Sequence, residues 1–251
     1  MWKKVRVFIL LLVLGYVAIE AWKDLNQNWD QSIVVLVHPI NADGSQNTEN
    51  YIQQLNAQSF TETSEYLTAN AKNYQRNAHF IFKIGRELKQ LPPEPPENGS
   101  AFNAILWSLK FRYYAWKQTQ SVDGYATVTL YLNYYDSNKY KVLKHSTALE
   151  RGRIGVVNLF SDVKQNEENQ VVTAHELLHA FGATDKYDLN TGQPIYPQGY
   201  VNPAQQPRLP QHQAELMAGY IPITETQSKI PLSLQQTVIG NLTAREIGWV
   251  K

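Results

Sequence analysis

Residues 175–188 read His-Glu-Leu-Leu-His-Ala-Phe-Gly-Ala-Thr-Asp-Lys-Tyr-Asp, and the rest of the chain is best read outward from them. On an α-helix, positions i and i+4 share a face, so His175 and His179 present two imidazoles to one metal ion. Glu176 flanks that face, where a carboxylate can take a proton from a water as general base. Gly182 follows His179 by three residues, and Asp185 follows by three more. A helix carrying two ligands offers a third nearby in sequence only if the chain turns sharply. Glycine, which tolerates positive φ, lets the helix end and the chain fold back. Asp185 then becomes an oxygen ligand and one position stays open for water. Three protein ligands plus water is the pattern of a catalytic zinc site rather than a structural one.

Composition narrows the chemistry further. The 251 residues include no cysteine, which excludes thiol nucleophiles, disulfide frameworks and zinc-thiolate sites and leaves His, Asp and Glu as the metal ligands. With Lys+Arg 23 against Asp+Glu 22 there is no electrostatic footprint for nucleic acid.

The HELLHAFGATDKYD stretch resembles the metzincin clan of zinc endopeptidases, whose motif is H-E-x-x-H-x-x-G-x-x-H or, in the snapalysin-type branch, the same with a final Asp. The clan also carries a methionine in a tight turn beneath the zinc-binding histidines. The resemblance assigns that place to Met217, in Glu-Leu-Met-Ala-Gly at 215–219. It covers about 150–251 by motif and order. Two departures stand out. The third ligand is Asp rather than the commoner His. In some members a tyrosine two residues after the methionine contacts the zinc, whereas here that position is Gly219 and Tyr220 comes one later. Tyr220 or Tyr187 is therefore the candidate stabiliser of a developing oxyanion. The implied fold is α/β (α+β): one metzincin-like domain with a mixed twisted sheet, an active-site helix and a C-terminal helix.

Other ligand sets remain open at this point. Asp188, Glu215, Glu225 or His212 each offers a third donor in place of Asp185, and Thr173-x-x-Glu176 also reads as a capping box in which Glu176 merely caps a helix. His38, His79 and His145 stand isolated and read as structural or surface residues.

Along the chain, Ile33–Val37, His79–Ile84, Tyr125–Tyr134 and Arg153–Phe160 read as strands, the last with an exposed edge from Arg153 to Leu159 on which a substrate can lie antiparallel. Helical spacing runs from Thr48 to about Gln75 in two pieces. It returns from Ala101 to Lys117, where Phe102, Ile105, Leu106, Leu109, Tyr113 and Trp116 form one apolar stripe, and again from near Asn166 to Phe181. Residues 92–100 (PPEPPENGS) read as a polyproline-type loop. Residues 183–222 are turn-rich with six prolines, and after the third ligand they supply the wall of a substrate pocket. Ser233-Leu-Gln-Gln236 reads as a capping box opening a last helix over 233–247. Asn98-Gly-Ser and Asn241-Leu-Thr fit the glycosylation pattern.

At the N-terminus, Lys3, Lys4 and Arg6 precede the apolar run Val7–Ile19, a signal peptide or signal anchor over residues 1–22 with membrane anchoring through 5–19. The catalytic domain then spans 30–251 and is exported, in a periplasmic, extracellular or membrane-anchored setting. The expected activity is zinc-dependent hydrolysis of a protein or peptide substrate. Two rivals stand beside it: an exported non-catalytic zinc-binding or interaction module, and a zinc hydrolase of a non-protein amide bond.

Overall fold

The structure, a computed structural model, describes residues 2–96, 100–120, 123–149 and 152–250. Asn98 lies outside the described residues. Helix α1 (Trp2–Leu25) is followed by strand β1 (Ser32–Asn41), helices α2 (Gln46–Ile52) and α3 (Thr61–Asn73), and strand β2 (His79–Ile84). Helix α4 (Ala101–Gln118), strands β3 (Val128–Tyr135), β4 (Thr147–Ala148) and β5 (Ile154–Phe160), and helix α5 (Asn166–Ala180) complete the central part. The strands form one five-stranded sheet in the order β2-β1-β3-β5-β4. All neighbours run parallel except β4, which pairs antiparallel with β5.

Residues alternate between the two faces of the sheet. Ile33, Val35 and Val37 of β1, Val128, Leu130, Leu132 and Tyr134 of β3, and Val157 and Leu159 of β5 enter the larger core with α3 and α5. Ile40, Tyr131, Ile154 and Val156 face the other way, onto Phe111, Tyr114 and Trp107 of α4. Strands buried on both faces read as near-continuous apolar runs, which is why IVVLV at 33–37 was legible as a strand. The result is a single mixed α/β domain.

The expected elements correspond closely up to residue 182, with three corrections. The first concerns α4. Its stripe of Phe102, Ile105, Leu106, Leu109, Tyr113 and Trp116 is exposed, and the helix packs through Trp107, Phe111, Tyr114 and Ala115 instead. The helix has apolar residues on both faces, so spacing alone could not tell which arc meets the sheet. The second is the sheet edge. Strand β5 is not exposed, because Thr147 and Ala148 pair with Val156 and Gly155, and Ser146 Oγ accepts from the Asn158 backbone N–H at 2.9 Å. The outer edge is β4, too short to carry a periodic signal.

The third correction is the end of the chain. No helix spans 233–247: Ser233 makes no capping bond, and a 3-10 turn at Leu234–Gln236 leads into strand β9 (Thr237–Val238) and the short helix α6 (Asn241–Glu246). The β-branched pair Thr237-Val238 runs beside β6 (Ala214–Glu215), and tertiary pairing overrides the local cap signal. Two further two-residue strands, β7 (Ile221–Pro222) and β8 (Ser228–Lys229), form a small hairpin.

The domain core begins at Trp29, one residue before the expected boundary. Trp29 packs edge-on against Trp249 and near Phe80 and Phe181, and its Nε1 donates to the Ile247 carbonyl at 2.9 Å. In α1 the side chains of Phe8, Leu11, Leu12, Leu14 and Ile19 are exposed. Among the described residues no helix is long and apolar enough to cross a membrane.

Candidate metal centre

Helix α5 is fixed at both ends. Asn169 joins its first turns to β5, donating to the Phe160 carbonyl and accepting from the Phe160 N–H. Thr173 bonds back to the Asn169 carbonyl in mid-helix, so Glu176 is not a cap. Ala174, Leu177 and Leu178 are fully buried, which turns His175 and His179 to the opposite side. At the C-terminus Gly182 adopts φ 102°, its N–H bonds the His179 carbonyl, and the Ala183 N–H bonds the Leu178 carbonyl. These two bonds are the Schellman pattern that ends a helix on a left-handed glycine. The chain folds back there, as the spacing of Gly182 implied, and brings Asp185 against the histidines.

His175 Nε2 and His179 Nε2 lie 3.0 Å apart, and each lies 3.1 Å from Asp185 Oδ1. Ligands about 2.0–2.1 Å from a tetrahedral ion stand about 3.3–3.4 Å from one another, so this triangle is one face of such a site, drawn slightly tight. The other ring nitrogens are spoken for: His175 Nδ1 faces the Leu216 carbonyl at 2.9 Å and His179 Nδ1 the Ala183 carbonyl at 2.7 Å. A carbonyl only accepts, so both Nδ1 atoms carry hydrogen, which leaves each Nε2 as the atom that can meet a metal ion. Two imidazole nitrogens and a carboxylate oxygen facing one another within 3.1 Å are a donor set that a proton or a metal ion can bridge. Glu176 Oε2 is buried without a hydrogen-bond partner among the described residues. His175, Glu176 and His179 form a group able to hold a metal ion, their ligand atoms within 4.8 Å of one another.

The electrostatics agree. Burial pushes the Glu176 carboxyl up, against the pull of His175 and His179. Burial also raises Asp185, but hydrogen bonding to the two histidines overrides it and holds the carboxylate well below its usual range. Burial would lower His179, yet the hydrogen bond to Asp185 and the charges of Glu176 and Asp185 push it up to about 9.

That shift has a testable sign. A pKa raised above the unfolded value of 6.5 adds stability that is complete below about 6.5 and is lost as pH rises through about 9. In chelator the melting temperature should therefore fall between pH 6.5 and 9.5. A divalent ion displaces the proton and should flatten that slope. Parallel slopes with and without metal would show that His179 does not meet the ion.

The shell around the ligands is tied to the end of the chain. The Thr184 N–H and hydroxyl donate to the Glu246 carboxylate, and buried Lys186 reaches Glu246 Oε2 at 2.6 Å. The Lys186 N–H donates to the Met217 carbonyl at 2.8 Å. Met217 is fully buried in a tight 3-10 turn closed by Gly219 at φ 70°, and the same turn carries the Leu216 carbonyl that orients His175. Its thioether is packing, not a ligand and not a pocket wall.

Glu215 holds this turn. Its Oε2 accepts from the Met217 and Ala218 N–H groups at 2.6 and 3.1 Å, and its Oε1 from the Gly240 N–H and the Thr243 hydroxyl at 3.1 and 2.6 Å. With both oxygens occupied it is not the third ligand. Glu215→Ala orphans four donors, three of them buried, and should cost about 3–5 kcal/mol of stability, read as a fall in denaturation midpoint. Glu215→Gln, which keeps the shape, should cost less.

The remaining candidates separate cleanly. Asp188 Oδ1 accepts from the Asn190 and Thr191 backbones and the Thr191 hydroxyl, an Asx turn at the surface. His212 is exposed, and Glu225 is paired with Arg208. Tyr187 does reach the site: burial, the negative charges of Asp185 and Glu176 and a hydrogen bond to Asp185 all raise its hydroxyl. Tyr220 lies near enough to Tyr187 for its hydroxyl to interact electrostatically with it. One residue was missed. His145, read from sequence as isolated, lies near enough to Glu176 to favour its ionised form. It stands two residues before edge strand β4, and nothing in its sequence neighbours signals that position.

No protein-family model matches the chain, and no curated protein matches it significantly. The site therefore rests on its geometry.

Proposed function

We propose that the protein is a zinc-dependent endopeptidase of metzincin type. The observation that carries the reading is the convergence of His175, His179 and Asp185 within 3.1 Å beside a buried, unpartnered Glu176 oxygen. Two imidazoles and one carboxylate in a tetrahedral face suit zinc. The mixed sheet, the Schellman-ended helix and the buried Met217 turn support the resemblance in HELLHAFGATDKYD.

Bound there, the ion would polarise a scissile carbonyl and make a water acidic near neutral pH. Glu176 takes that water's proton and returns it to the leaving amine, a role suited to its raised carboxyl. Tyr187, held protonated at working pH, can donate to charge developing on the carbonyl oxygen. Among the described residues the sheet ends near the site at β4, whose outer side at Thr147–Ala148 would take up the backbone groups of an extended peptide. The basic, apolar N-terminal helix α1 supports export, with the catalytic domain outside the cytoplasm.

The direct test loads the full chain with zinc and assays an unstructured protein such as casein. One zinc per chain, hydrolysis, and loss of both on chelation are expected. One zinc without hydrolysis of any peptide would overturn the peptidase reading in favour of a non-protein amide substrate. No zinc binding would leave an interaction module.

A further inference from the structure

We propose that α4 is a membrane-surface helix, lying with its outer face on a lipid bilayer that bears anionic headgroups. The inference does not depend on the metal centre. At about 100° per residue, Phe102, Ile105, Leu106, Leu109, Tyr113 and Trp116 fall within one arc of about 100°. Their exposures are 66, 58, 39, 58, 62 and 72 %. The opposite arc is already used on the sheet, so this second apolar stripe has no role in the fold.

Charge decides the partner. The helix contains Lys110, Arg112 and Lys117 and no acidic residue, in a chain whose formal net charge is only +1. By the same angular count Lys110 and Lys117 flank one margin of the stripe and Arg112 the other. A basic rim around an apolar arc is the pattern of an in-plane helix: stems lie along the acyl boundary while the charged heads reach phosphate. Trp116 and Tyr113 add the aromatic rings that favour the headgroup level. A protein groove would account for α4 alone. A lipid surface accounts also for α1, where Phe8, Leu11, Leu12, Leu14 and Ile19 are exposed behind Lys4 and Arg6.

The absence of cysteine gives a clean test, since one introduced thiol labels one site. Leu109→Cys, at an exposed position, and Lys72→Cys on α3, across the sheet, would each carry a nitroxide in the full chain. Each is mixed with vesicles of phosphatidylcholine, with and without phosphatidylglycerol. The label at 109 should sit about 5–10 Å below the phosphates in the anionic vesicles and shallower or free in neutral ones, while the label at 72 stays in water. Three results would overturn the proposal. A label at 109 that stays aqueous on anionic vesicles removes the membrane contact. Equal depth on both vesicle types removes the role of the basic rim. Shielding of 109 in vesicle-free buffer shows that the stripe is covered by protein, with spin–spin broadening marking a second copy and its absence marking α1.

Discussion

Glu176→Gln is expected to bind zinc with the parent's stoichiometry and to hydrolyse casein at least ~100-fold more slowly. The amide keeps the size of the carboxylate and cannot accept the proton. Its neighbours do not depend on it: the two imidazoles are oriented by the Leu216 and Ala183 carbonyls, and Glu176 Oε2 has no partner to lose. Binding and chemistry should therefore separate, with kcat falling far more than KM changes. The desolvation that raises the Glu176 carboxyl also makes the neutral amide easy to bury, so the variant should melt at or above the parent temperature. Activity within threefold of the parent would remove Glu176 from the proton path.

Asp185→Ala should abolish stoichiometric zinc at micromolar concentrations, a loss of affinity of ~100-fold or more. Two imidazoles alone leave an incomplete site, and the backbone around position 185 stays clamped by Thr184 and Lys186 on Glu246, so no neighbouring carboxylate can swing in. Asp188 is committed to its own turn and Glu215 to the methionine turn. In the metal-free state the substitution should instead lower the His179 pKa, because the hydrogen bond and charge that raise it come largely from Asp185. Full zinc occupancy in Asp185→Ala would mean that the third ligand lies elsewhere.

What the sequence could show follows from the range of each signal. His175, Glu176, His179, Gly182 and Asp185 lie within eleven residues, and their relation is set by helix periodicity and one glycine turn, both local. Strands β1 and β3 were legible because burial on both faces leaves apolar runs, and β2 and β5 because buried residues alternate along them with more exposed ones. The outer stripe of α4 and the edge strand β4 were not: the first needs to know which of two apolar arcs meets the sheet, and the second is two residues defined only by its partner. His145 belongs with β4, since only tertiary pairing carries it toward Glu176. The final helix failed for the opposite reason, a local cap pattern overruled by the pairing of Thr237-Val238 with Ala214-Glu215.

The clamp on Asp185 also bears on synthesis. Its flanking residues are anchored to Glu246, and Trp29 is locked beneath Trp249. While the chain emerges from the ribosome, His175, His179 and Asp185 are all present some sixty residues before the partner that fixes the third of them. The nascent protein thus carries these three side chains long before it can align them, because the alignment waits for Glu246. The metal-binding triangle is completed only after residue 246 has been made.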